Sequence, residues 1–470
     1  MKKYGKYYAT IGLEVHVALK TKTKLFSRSH NEFDGDSFAL FDAGMPGILP
    51  VLSKEPVKMA VAFALATNAQ VKKYSEFERK HYFYPDLPLG YQITQQHKPI
   101  MIGGTVPIKT EEGVISIQIE HAHLECDAAK SIHDMYNEYS AIDLSRCASP
   151  LLEIVSTPCM HSPQEAKEYA KTIHALSVFL GICDGKMEEG SFRVDASISL
   201  HTEQGKLGTR VENKNISSFG FLEAALEYEI ERQSEILDRG ESIVMETRLF
   251  DESTMTTKSM RAKETVDEYR YMPDPDIVPL VIDDQFITEV KRDYHTDYFT
   301  LCDNLKTKFA LFDLQAEDTF VIQLLSSQYR QFWLDIATDQ VEPSEKLLRL
   351  LAYWLPEVLI KVESQRDLVW SDIKTLVKSD LQAKEIKEVL LKWLSSEQTI
   401  EQCLPQFMSS EDLMKIINSV LVDYPEQIAK FKAGEVKIAQ FLIGKVMSEV
   451  KGKAPASLVR EKVLETINIM

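Results

Sequence analysis

The 470-residue sequence has no CxxC pair, and its six cysteines, Cys126, Cys147, Cys159, Cys183, Cys302 and Cys403, are scattered. That spacing argues against a disulfide framework or a structural zinc site and leaves reduced thiols as the expectation. No apolar run reaches the roughly 18 residues needed to span a bilayer, so no membrane association is expected. The opening MKKYGKYYATIGLEVH carries lysines but no apolar h-region and no small-residue cleavage site. It reads as untargeted and cytoplasmic. Neither G-x-x-x-x-G-K-[ST] nor G-x-G-x-x-G occurs, which excludes P-loop and Rossmann nucleotide sites at the level of motif. Positive charge is also in deficit. A net charge of −17 argues against gripping nucleic acid by bulk electrostatics, although it leaves room for a local basic surface.

What is present fits a soluble globular chain, with 44% hydrophobic and 9% aromatic residues. The length is too great for one core and predicts two or three domains. The expected class is α+β. Residues 1–292 should form a mixed α/β cradle with a largely antiparallel sheet, 293–405 a helical region, and 406–470 a small helical tail.

The chain is organised around IGLEVHVALKTKTKLF, residues 11–26. Ile11, Leu13, Val15 and Val17 alternate with Gly12, Glu14, His16 and Ala18, so a strand here buries one face and projects Glu14 and His16 together from the other. The alternation returns in ISIQIEHAHLEC, where His121, His123 and Glu125 share a face and Asp127 follows. It returns again around Glu153 in LLEIV, where a carboxylate in an apolar run needs a cationic or metal partner, with Arg146 as a candidate. Further on, Arg193, Asp195 and Ser197 alternate in FRVDASIS, and Arg210, Glu212 and Lys214 in TRVENKN. A sheet with one charged face accounts for the repetition. Carboxylates outnumber imidazoles, which favours Mg²⁺ over zinc. Candidate metal ligands are Glu14, His16, Glu125, Asp127 and Glu153. Candidate phosphate contacts are Arg193, Arg210 and Lys214. A basic segment at 245–277, with Arg248, Lys258, Arg261, Lys263 and Arg270, reads as a flexible complement to a bound triphosphate. Pro85 and Pro88 in HYFYPDLPLGYQITQ stiffen a loop that presents Tyr82, Tyr84 and Asp86 as a pocket wall.

IGLEVHV, YFYPDLPLGYQITQ, HLECDAAKSIH, PLLEIVSTP, GTRVENKN and SMRAKETVDEYRYMPDPD, in this order, resemble the B subunit of the tRNA-dependent amidotransferase that acts on Asp-tRNA(Asn) and Glu-tRNA(Gln). The resemblance covers nearly the whole chain. It implies ATP- and Mg²⁺-dependent phosphorylation of the side-chain carboxylate of a mischarged tRNA, then displacement of phosphate by ammonia from a glutaminase (A) subunit, with a small C subunit clasping the two. It also implies that the residues matching Glu14, His16, Glu125, Glu153 and Glu212 surround the metal and phosphoryl site, as catalytic residues. Many members carry two cysteine pairs that bind zinc. Here those places hold Ser27, Ser29, Ala39 and Asp42, so no zinc is expected. Cys126, Leu89, Val194 and Ser217 are further departures. The alternative from another class is a tRNA-binding and assembly subunit whose kinase site has degenerated.

Amphipathic helices are expected at 303–314, 317–338 and 343–363, with Trp333, Trp354, Trp370 and Trp393 as core anchors. From Lys430 onward eight Lys/Arg face four Asp/Glu, a local excess suited to phosphate contacts with tRNA.

Overall fold

The computed structural model describes residues 3–470 apart from 33–36, 134, 137, 204–205, 263–265, 317, 328, 363–365, 367, 406, 436 and 452. The chain is α+β and divides into two compact units. One is Met1–Asp303 with Leu325–Gln328, and the other is Asn304–Leu324 with Tyr329–Met470.

The first unit is built on an eleven-stranded sheet. Its main elements are β1 (Tyr7–Ala18), α1 (Lys54–Ala66), β2 (Glu78–His81), β3 (Tyr91–Thr94), β4 (Thr105–Thr110), β5 (Gly113–Cys126), β6 (Pro150–Ser156), α2 (Pro163–Phe179), β7 (Phe192–His201), β8 (Val211–Ile216), α3 (Phe219–Asp238), β9 (Glu246–Asp251), β10 (Thr256–Ala262) and α4 (Asp284–Asp293). The strand order is β10-β9-β8-β7-β1-β6-β5, continued by the short strands Met101–Ile102 and Gln70–Val71, with β4 paired to β5. Every pairing between labelled strands is antiparallel except β8 with β9. A parallel pair needs a crossover, and α3 supplies it.

The first long strand therefore sits at the middle of the sheet. Its apolar alternates Ile11, Leu13, Val15 and Val17 are all buried. Helices α2 and α3 pack on each other, α2 against β1 and β4, α3 against β7. Helix α2 buries Ala166, Tyr169, Ala170, Ile173 and Leu176, spaced three and four apart as an amphipathic stripe requires. Full burial of the Ile173 or Leu176 side chain contributes roughly 1.5–3 kcal/mol, and that of an alanine methyl less. Ser162 and Ser218 start the two helices by accepting from the backbone N–H groups of Glu165 and Phe221. With the apolar face filled by helices, the other alternates are left to chemistry. The hairpin β2–β3 meets the β5 end of that polar face.

Residues 245–277 have defined structure where described: the β9–β10 hairpin, a short helical turn at Val266–Tyr269, and Met272–Pro273 paired to β2. Lys263 lies outside the described residues. Met272 and Pro273 stand opposite Arg79 and Glu78, and Arg79 grips Asp274 through Nε at 3.0 Å and Nη2 at 3.2 Å. This segment is a strap tied to β2.

The second unit is helical. The expected long helices are broken: Asp318–Ser326 and Arg330–Ala337 are separate, and Glu345–Leu359 passes through a π-helical turn at Leu350–Trp354. Trp333 and Trp393 are core residues, whereas Trp354 and Trp370 are half-buried. Trp370 spends its indole N–H on Asp335, a polar contact that holds it at the margin. Helices from Ser410 to Ile469 bury their own cluster, including Leu413, Ile417, Leu442, Val446, Val459 and Val463.

Candidate active site

The strand register decides which polar alternates meet. His123, Glu153, His16 and Arg193 stand side by side across β5, β6, β1 and β7. In the next row are His121, Val155, Glu14 and Asp195. Glu212 on β8 faces Ser197. Bulges after Val155 and Val194 re-aim the side chains on either side of this row.

Two clusters result. His16, Glu125 and Glu153 bring donor atoms within 4.8 Å of one another. His16 Nε2 lies 3.2 Å from Glu153 Oε2 and 3.6 Å from Glu125 Oε1. His123 Nε2 stands 3.5 Å from Glu153 and 3.7 Å from Glu125, and its buried Nδ1 has no hydrogen-bond partner among the described residues. Glu14, Asp195 and Glu212 form the second cluster, also within 4.8 Å. Lys214 Nζ is 2.5 Å from Asp195 and 3.6 Å from Glu212, and Thr247 Oγ1 donates to Glu212 Oε2 at 2.9 Å.

Charge is handled differently in the two. Burial works against a charged His16, but Glu153 and Glu125 overcome it and lift the imidazole to about 9. Burial would raise the Glu153 carboxyl, but His123 and His16 hold it well below the usual range. His121, stacked on His123 with centroids 5.4 Å apart, is pushed down to about 4 by burial and by that neighbour. In the second cluster, burial and then Glu153 and Glu212 push the Glu14 carboxyl up. Burial disfavours the Lys214 ammonium, yet Asp195 and Glu212 raise it.

The expected ligands are thus divided. Glu125, Glu153 and His16 meet in one cluster and Glu14 belongs to the other. Asp127 joins neither: Arg146 Nε bonds its Oδ2, and Arg193 Nη2 its Oδ1 at 3.2 Å. Arg146 therefore serves Asp127, and two histidines partner Glu153 instead. Arg210 precedes β8 and is exposed, at the rim of a cavity of about 290 Å³ lined also by Thr10, Gly12, Glu14, Val155 and Ser197. Asp195 and Thr247 complete the site without having been among the sequence candidates, whereas His123 joins it on the face that the alternation with His121 and Glu125 had marked as potential ligands. Asp195 and His123 carried the signal, since each alternates with a chosen neighbour. Thr247 carried none, because its place depends on the parallel β8–β9 register. The strap also faces the acids. Burial, then Glu153 and Glu125, raises the Tyr271 phenol, and burial with Glu125 raises Tyr82.

Ser27, Ser29, Ala39 and Asp42 do converge. Asp42 Oδ2 accepts from Ser27 Oγ at 2.9 Å, Ser29 Oγ at 2.7 Å and the Ala39 N–H at 2.8 Å. Buried Lys24 lies 3.8 Å from it and donates to the Cys147 carbonyl at 2.7 Å.

Fold and site together define an α+β protein with two clusters of acidic and imidazole side chains, each able to hold a metal ion, on one sheet face. The GatB/GatE catalytic domain matches residues 9–288 and the GatB domain residues 363–467. The chain belongs to this family. It is 37% identical over 484 residues to the B subunit of the aspartyl/glutamyl-tRNA(Asn/Gln) amidotransferase of Francisella tularensis subsp. novicida (strain U112), covering 97% of this chain and 98% of that one. It is 39% identical to the corresponding protein of Legionella pneumophila (strain Paris) over 94% and 96% of the two chains, and 40% identical to that of Nitrosococcus oceani over 96% and 97%.

Proposed function

We propose that this chain is the activating subunit of an aminoacyl-tRNA amidotransferase, acting on Glu-tRNA(Gln), Asp-tRNA(Asn) or both in the cytoplasm, with a glutaminase A subunit and a small C subunit as partners. The observation that carries this reading is the pair of acidic clusters on one sheet face, flanked by cations. A carboxylate is a poor electrophile. Its oxygen attacks the γ-phosphorus of ATP, the β–γ bridging P–O bond breaks, and ADP leaves. Ammonia then forms the C–N bond, the C–O bond to phosphate breaks, phosphate departs and the nitrogen loses a proton.

The all-carboxylate set Glu14, Asp195 and Glu212 fits Mg²⁺, while His16, Glu125 and Glu153 form a mixed set of one imidazole and two carboxylates. Glu14, Asp195 and Glu212 would hold such an ion, which would supply charge neutralisation for the transferring phosphoryl group. The 290 Å³ cavity beside Glu14 is near the lower bound for ligand pockets and suits the base of a nucleotide, with Arg210 at its rim for phosphate. Lys214 remains protonated and holds Asp195 and Glu212 in place. Arg193 and Asp127 neutralise each other, keeping an uncompensated anion away from the transfer path. Hydrogen bonds to Asp42 tie together Ser27, Ser29 and Ala39, the positions where zinc-binding cysteines would stand. The basic stretch after Lys430 is proposed to contact the body of the tRNA.

The test uses this chain assembled with its A and C partners and given each mischarged tRNA separately. The wild type is expected to cleave ATP and form amide on at least one. Glu125→Gln is expected to lose ATP cleavage while still binding tRNA. If the wild type binds tRNA and cleaves no ATP, the chain is a binding and assembly subunit only.

A further inference from the structure

Among the described residues, three cations around the acidic clusters are bound to carboxylates, and Arg210 stands exposed at the cavity rim beside Glu14. Arg146 and Arg193 bond Asp127, and Lys214 bonds Asp195. Lys80 on β2 has no ion-pair partner among the described residues. Its Nζ lies instead 5.8 Å from the Tyr82 ring centroid and 4.8 Å from that of Tyr269. The two rings meet edge to face, 6.1 Å apart. An ammonium lodged between rings is held by their faces and keeps its hydrogen-bond donors available.

Its position is set by backbone. Lys80 stands opposite Gln92 in the β2–β3 pair, and Glu78 opposite Thr94, so Lys80, Gln92 and Thr94 share one face. That face meets the end of β5: Gln92 donates to the Cys126 carbonyl at 2.8 Å and Thr94 Oγ1 reaches Glu125 Oε2 at 3.5 Å. The Lys80 charge is felt at Glu153. The strap fixes the other side of the cage. It is anchored by Arg79 on Asp274 and by His81 Nδ1 against the Arg270 carbonyl at 3.0 Å.

We infer that Lys80 binds the side-chain carboxylate of the aminoacyl group, at the His16–Glu125–Glu153 end of the site. This rests on the activating-subunit reading. The two ends of the cradle then divide the labour. Arg210 and Lys214 sit beside the cavity and the Glu14 cluster, where a nucleotide enters. Lys80, Tyr82 and Tyr269 sit beyond Glu125, where the acceptor must arrive. An anionic acceptor gains most where a cation is free to meet it, and Lys80 is the one cation at that end not already committed to a protein carboxylate among the described residues. The cage also gives discrimination. A carboxylate gains a charge-assisted hydrogen bond from an ammonium, whereas the product amide gains a neutral one of about half the strength.

The experiment compares binding of Glu-tRNA(Gln) with that of the amide-bearing Gln-tRNA(Gln) to the assembled enzyme, for wild type, Lys80→Met and Lys80→Arg. Methionine keeps the apolar stem between the rings. Wild type is expected to favour the carboxylate-bearing tRNA by about tenfold, in line with the difference between charged and neutral hydrogen bonds. Lys80→Met should bind both equally, with affinity for a non-hydrolysable ATP analogue unchanged, and Lys80→Arg should recover part of the preference. If the methionine variant still prefers the carboxylate, or if its loss falls on the ATP analogue instead, the assignment is overturned. The binding readout needs no turnover, so a wild type that cleaves no ATP defeats the activating reading while Lys80 is still judged by its own preference ratio.

Discussion

The two ends of one sheet face solve the same electrostatic problem in opposite ways. At the β5–β6 end, two carboxylates are met by two imidazoles, and the charges cancel inside the protein. At the β7–β8 end, three carboxylates share one lysine, and negative charge is left over. The first arrangement is stable without any ligand. The second calls for a cation from outside. The strand register alone separates them, because Glu14 and His16 are neighbours in sequence yet face different partners on β6 and β7.

The sharpest way to break this comparison is Glu153→Gln, which removes the carboxylate that both His16 and His123 face. Loss of amidation should exceed the roughly 100-fold that follows loss of an outer hydrogen bond at a metal site. A variant with near-normal turnover would show that the imidazole end plays no part in the chemistry.

A pH series sharpens it. His16 has its folded value raised from 6.5 to about 9, so its pairing stabilises the fold fully below pH 6.5 and is lost as pH rises through about 9. In the metal-free chain, the gap in unfolding free energy between wild type and His16→Gln should narrow by on the order of 3 kcal/mol between pH 6 and pH 10. A gap that does not change with pH would mean the imidazole is neutral and the end is not self-compensated.

Thr247→Val addresses the other end. Removing the hydroxyl that holds Glu212 should weaken Mn²⁺ binding by roughly 10–100-fold, the usual effect of an outer partner, and Thr247→Ser should restore it. Equal affinity in all three would place the ion elsewhere.

The smallest effect concerns the thiols. Burial pushes Cys147 up to about 12 and Cys183 up to about 11. Alkylation of the native chain at pH 8 should therefore label the half-buried Cys159 first. Rapid labelling of Cys147 would show that the Asp42 knot opens.

Local pattern made much of this legible. The alternation in IGLEVHV, EHAHLEC and LLEIV states which residues share a face, and the serine caps and spacing of α2 and α3 state where helices begin. What local pattern does not carry is which strand lies beside which. Asp127 looks like a ligand because it follows Glu125 by two, but the strand ends at Cys126 and two guanidiniums claim it. Arg146 looks like a partner for Glu153 because it is close in the chain, whereas His16 and His123 are close in space. Thr247 and Lys80 matter only through pairings that no short segment encodes. The basic run at 245–277 suggested a flexible arm because charge alone does not show the edge pairing to β8 or the clasp of Arg79 on Asp274.

The central place of β1 has a consequence for the order in which the molecule is made. Val15 pairs with Ile154 on one side and Val194 on the other, so the strand is made about 140 residues before its first long neighbour and about 180 before its second. At roughly 5–20 residues per second, a strand rich in β-branched residues waits about 10–40 s before both edges can be covered. Contacts so distant in sequence also form slowly once they are available. The nascent chain is then most exposed to edge-to-edge association through the segment that later carries Glu14 and His16, and a holdase acting on the first two hundred residues should change the yield of this protein more than its final stability.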